Sequence, residues 1–223
     1  MISFLLSLLL VVQGSYFSVY SNESKNAMAF YKKNQSLFLK VFKGASENDI
    51  DIAFAIVAPE VSQYSAASDF LETKALEMKY VRNGNCDYSV GRFQMKPSFI
   101  ESLEKEVFKS KALTRKYGEQ LSYSKGKNKR AVRRERVERL CDDEWQIRYL
   151  AIFVDVVKQR TAGWGLKSSE DKVRYWATMY NAGFYLSKAR VKHRQGVKQF
   201  PRGTKEFNYS AVAQEFYRKT VRK

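Results

Sequence analysis

The sequence predicts a mainly α domain, and three observations carry that expectation. Apolar residues recur at three- and four-residue spacing in several separate stretches. Helix-start signals precede those stretches at Ser46, Pro97, Asp142 and Ser168. Strand signals are few; the turn signal Asn83-Gly84-Asn85 lies in a mixed stretch, 61–90, expected to hold a small hairpin or loop insert.

In chain order, residues 15–45 are polar and aromatic without a clear period, and read as an arm or a short lead-in helix. Ser46, with Asp49 three residues on, forms an acidic variant of the capping box and starts a helix. Ile52, Ala55, Ile56 and Pro59 share one face of it, and Pro59 is expected to kink or end it. Pro97 opens a helix with Phe99, Leu103 and Val107 on one side. The next begins near Asp142, with Asp143 and Glu144 in its first turn, where negative charge suits the helix dipole. Ile147, Leu150, Ala151, Val154 and Val157 form its apolar face, and Gly163 is the expected stop. Ser168 and Asp171 cap a helix carrying Val173, Trp176, Ala177 and Tyr180, followed by Gly183. A last amphipathic helix is expected from about Ser210 to Val221.

At 223 residues and 44% hydrophobic content, the chain can bury a core without disulfide support. Its net charge of +17 points to a polyanionic partner. The charge is uneven. Residues 109–139 hold twelve basic and three acidic side chains, and residues 188–205 hold seven basic and no acidic ones. Both runs read as solvated surface or as an adhesive face, and 121–139 as a loop.

Residues 1–14 read MISFLLSLLLVVQG. The apolar run Phe4 to Val12 is too short to span a bilayer, and Val12 and Gly14 are small residues placed for cleavage after Gly14. A secretory signal peptide is the expectation, with a core or anchoring helix as the alternative. No transmembrane segment is expected after cleavage. Export would make the location periplasmic, envelope-associated or secreted, and disfavours nucleic acid as the partner. In an oxidising compartment Cys86 and Cys141 are candidates for one disulfide, with two free thiols as the alternative. The single His193 argues against Ser-His or Cys-His catalysis and against zinc, so no metal or cofactor is expected. The domain plan is a 1–14 leader, a 15–45 lead-in and one domain over 46–223, with a basic insert at 109–139 and a basic part at 188–223.

Four stretches carry a possible chemistry: Ala55-Ile56-Val57-Ala58-Pro59-Glu60, Gly91-Arg92-Phe93-Gln94-Met95-Lys96-Pro97, the helix from Cys141 to Leu150, and Tyr180-Asn181-Ala182-Gly183. In this order they resemble the lytic transglycosylase family over about residues 46–187. The resemblance implies a lysozyme-like α+β fold and a monomer acting on peptidoglycan glycan strands. It implies non-hydrolytic cleavage of the MurNAc-GlcNAc β-1,4 bond, leaving 1,6-anhydro ends. Glu60 would be the catalytic acid and then base. Gln94, Tyr180, Asn181, Gly91 and Phe93 would serve substrate binding.

The residues themselves support part of this. Glu60 follows Ile56 by four residues, so its side chain begins on the apolar face, where partial burial raises a carboxyl pKa. A protonated carboxyl is what glycosidic cleavage needs near neutral pH. No second acid stands out; Asp69, Glu72, Glu77 and Asp87 lie in the following insert without a signal. Gln94 reads equally as a turn-stabilising amide, Gly91 as a positive-φ position, Phe93 as core and Asn181 as a helix-end cap. The chain departs from the family pattern at Val61, where Ser is usual, at Pro59, and in the long gap from Glu60 to Gly91. These departures keep two alternatives open, an inactive peptidoglycan-binding protein and a hydrolytic muramidase.

Overall fold

The computed structural model describes residues 14–124, 126, 128–203 and 205–221. Helix accounts for 71% of it, as the mainly α expectation requires. The run read as a leader falls outside the described residues except for Gly14. Among the described residues no helix is long and apolar enough to cross a membrane.

A short α1 (Tyr16–Val19) leads into α2 (Ser21–Val41) and α3 (Glu47–Gln63). There follow α4 (Ala66–Ala75), a π-helical turn (Leu76–Tyr80) and α5 (Val81–Asn83). Then come α6 (Pro97–Lys109), α7 (Lys111–Tyr117), α8 (Lys129–Leu140), α9 (Asp143–Arg160), α10 (Ser169–Ala182) and α11 (Lys188–Arg194). Strands β1 (Lys198–Phe200) and β2 (Phe207–Asn208) pair antiparallel, Lys198 opposite Asn208 and Phe200 opposite Phe207. Helix α12 (Tyr209–Thr220) closes the order.

Helix α3 is the centre. Ile52 to Ala58 are all buried, so this helix is apolar around its whole circumference and is enclosed by α2, α10 and α12. Tyr31 of α2 stacks on Phe54 of α3 with ring centroids 4.2 Å apart, and Phe216 of α12 meets Phe54 edge-on. Helix α9 forms the second buried rod, against α2, α6 and α8.

The expected starts hold. The Ser46 hydroxyl accepts from the Asp49 amide, Pro97 takes the first helical position, Asp142 caps α9, and Ser168 with Asp171 forms a full capping box. Several other expectations are corrected. The 15–45 segment takes the helical alternative and not the arm, but its helix is long and part of the core: α2 buries Ser24, Ala27, Tyr31 and Phe38. Pro59 does not end α3, which runs four residues further; neighbours packed on every side hold the turn that the missing N–H weakens. Residues 61–90 form no hairpin. Leu76, Tyr80 and Val81 face the core from a helical backbone that Gly84 ends at φ 84°. Gly163 lies inside a 3₁₀ turn, and Gly165 takes the left-handed position after it. Cys86 and Cys141 are not bonded. Cys86 is half-buried against the core, while the Cys141 thiol lies 3.7 Å from the Thr73 hydroxyl.

The first basic run is also reassigned. Much of 121–139 is helix α8, and two of its arginines, Arg136 and Arg139, turn inward. Arg136 donates to Glu104 (2.8 Å), Glu101 (3.0 Å) and the Tyr80 hydroxyl, and Arg139 to Glu135 (2.6 Å). The Arg139 guanidinium also lies 4.1 Å from the Trp145 ring centroid.

Candidate active site

The last turn of α3 lifts Glu60 out of the core, and it is the first half-exposed residue after eight buried ones. Two hollows adjoin there. The larger, about 890 Å³, is walled by α11, the β1–β2 hairpin and the start of α12. The smaller, about 460 Å³, is walled by the 89–102 segment and the residues from Tyr180 to Tyr185. Glu60, Ser89, Gln94, Asn181 and Ala182 line both. The carboxyl thus stands at the midpoint of a cleft open on either side.

Burial pushes the Glu60 carboxyl up to about 7, against a smaller opposing effect of its hydrogen bond with the Tyr209 hydroxyl. Tyr209 is 5% exposed and its hydroxyl also reaches the Ile56 carbonyl at 3.1 Å, inside the same turn of α3. Burial and the nearby Glu60 charge hold the Tyr209 and Tyr180 hydroxyls well above the usual phenol range.

The segment from Val90 to Met95 is a tight turn. Val90 and Met95 exchange both backbone hydrogen bonds, at 3.0 and 3.1 Å. Gly91 has φ 74° and Gln94 has φ 50°. The buried Gln146 side chain locks the turn from beneath. Its amide nitrogen donates to the Val90 and Leu140 carbonyls (2.8 and 2.7 Å), and its oxygen accepts from the Phe93 amide at 2.7 Å. The Tyr180 hydroxyl fastens the turn from α10 by donating to the Phe93 carbonyl at 2.6 Å.

This geometry sorts the expected residues. Glu60, Gln94, Tyr180 and Asn181 come together at the cleft. The Gln94 amide is tied back to its own turn, donating to the Gly91 carbonyl (3.0 Å) and accepting from Ser89 (3.1 Å). Asn181 is exposed where the hollows meet, while the Gly183 amide closes the helix end on the Met179 carbonyl. Two placements are corrected. Phe93 is 1% exposed, so its ring is core and not cleft. Gly91 is buried, and a Cβ there would lie 1.9 Å from the Gln146 amide nitrogen, so its bareness serves that side chain and not a ligand. The Tyr180 hydroxyl is engaged by the turn, through the Phe93 carbonyl.

Ser62 turns away from the cleft. Its hydroxyl donates to the Pro59 carbonyl at 2.6 Å and lies 2.6 Å from the Tyr16 hydroxyl. Nothing in the sequence marks Tyr209 as part of this site. Asn208 before it is a helix-cap signal, yet nothing in the spacing ties position 209 to position 60. Glu206 is a second carboxylate on the larger hollow. Among the described residues no three His, Cys, Asp or Glu side chains group as metal ligands would. No family model, curated protein or solved structure matches this chain.

Proposed function

We propose that this chain is a murein lytic transglycosylase with a lysozyme-like fold, exported to the cell envelope. The observation that carries the reading is Glu60, half-buried where the two hollows meet, in surroundings that push its carboxyl up to about 7. A strand lying through both hollows would present one glycosidic oxygen to that carboxyl.

Glu60 gives its proton to the leaving oxygen as the C1–O bond breaks. The resulting carboxylate takes the proton of the C6 hydroxyl, whose oxygen closes on C1. A 1,6-anhydro end forms, no water is consumed, and Glu60 is protonated again. Tyr209 suits both halves of this cycle. A hydroxyl has one proton to donate, so it can serve the Ile56 carbonyl while Glu60 is neutral and the carboxylate once Glu60 is ionised.

Digestion of purified sacculi followed by mass spectrometry tests the reading; 1,6-anhydro-MurNAc ends are expected. Glu206 on the same hollow favours a second reading, a hydrolytic muramidase with two carboxylates. Reducing MurNAc ends would select it.

A further inference from the structure

The two halves of the cleft differ in chemistry. The smaller offers Ser89, Ser98, Ser102 and Lys96 beside the rings of Phe99 and Tyr185. The larger carries two arginines, Arg194 at the end of α11 and Arg202 in the segment joining β1 to β2, and one acid of its own, Glu206, so the halves differ in offering guanidinium on one side and ammonium on the other. Elsewhere Arg92, Arg136, Arg139, Arg148 and Arg218 are taken up by carboxylates of this chain. Arg194 and Arg202 instead stand exposed and line the larger hollow, together with the side-chain amides of Gln63 and Gln199 and the carboxylate of Glu206. Guanidinium is the side chain whose planar fork matches a carboxylate, and it is less strongly hydrated than the ammonium of Lys.

We propose that Arg194 and Arg202 form a carboxylate-binding subsite in the larger half of the cleft, so that the strand enters in one orientation with its anionic substituent on that side. The identity of the ligand rests on the murein reading. There a carboxylate has two sources, the stem peptide and, once that peptide is removed, the lactyl group on the sugar.

The test titrates the full chain with three soluble probes: a murein disaccharide bearing its peptide, the same disaccharide with the peptide removed, and neutral chitobiose. Wild type is expected to bind at least one anionic probe about tenfold more tightly than chitobiose. The Arg194→Gln, Arg202→Gln double variant is expected to lose that preference and bind chitobiose as before. The probe with the larger loss identifies the source of the carboxylate. Arg194→Lys, Arg202→Lys keeps the charge without the fork and is expected to recover part of the loss, and thermal unfolding checks that each variant folds. Equal binding of all three probes by wild type, no binding of any, or an equal loss on all three in the double variant would overturn the subsite. Product analysis on sacculi is read separately. Absence of anhydro ends alongside a persistent anionic preference removes the murein reaction and leaves the subsite standing.

Discussion

Glu60 holds its proton near neutrality because the last turn of α3 carries it only part-way out of an apolar interior. If that proton starts the reaction, kcat/KM falls as pH rises through about 7. Glu60→Gln should lower turnover on sacculi by roughly 10²–10⁴-fold, the usual worth of a positioned acid. The same shift acts on stability. The folded carboxyl binds its proton more tightly than the unfolded one, whose value is near 4.5, so wild type loses stability as pH rises from about 4.5 to 7. Glu60→Gln is therefore expected to melt like wild type at about pH 4 and at a higher temperature at about pH 8. Tyr209→Phe removes a bond that favours the carboxylate, so the falling limb of the pH–rate profile should move upward. Gly91→Ala is predicted to destabilise by about 3 kcal/mol or more in urea, through positive φ and a collision with Gln146. At this scale the sequence was partly readable. Position 60 betrays itself by following an apolar face, and position 91 by being glycine in a turn. Tyr209 does not, because its importance lies in a contact across more than a hundred residues.

Helix α8 shows where pattern reading fails for an element. Its sequence is dominated by arginine and reads as solvated, yet Arg136 and Arg139 are each only 6% exposed. Their partners explain this. Glu101 and Glu104 sit on α6, and Tyr123 and Trp145 lie outside the run's own helix, while the Arg139–Glu135 pair within it has the i,i+4 spacing usual on a solvated face. Arg136→Ala should cost about 3–5 kcal/mol by leaving Glu104 buried without its partner. Arg134→Ala, at an exposed position of the same helix, should change stability by less than about 0.5 kcal/mol. Denaturant titration of the two variants gives the comparison. Caps were the most legible elements, because a cap is a local hydrogen bond between neighbours in sequence. Helix α2 was hidden because its buried face uses Ser24 and Ala27 as well as rings, which leaves a weak apolar period. The 61–90 stretch conceals its helix because a π turn shifts the spacing that marks one.

Across the whole molecule, the first described turns are stitched to the last helix and to the cleft. The Tyr16 ring is fully buried among Phe200, Phe207 and Phe216, and its hydroxyl meets Ser62 and Gln63 just beyond Glu60. Tyr16→Ala is expected to loosen the hairpin that walls the larger hollow, seen as faster amide exchange over 198–208, with global stability down by about 3–5 kcal/mol. The charge distribution is similarly divided: part of the +17 is consumed inside α8 contacts, and part lines the cleft through Arg194 and Arg202. The stitching has a consequence for biogenesis. The Tyr16 amide bonds the Glu215 carboxylate at 3.2 Å, and Glu60 meets its hydroxyl partner only in α12, so these closures join segments far apart along the chain. A growing chain that has not yet released residue 209 lacks one wall of the larger hollow and the hydroxyl partner of Glu60.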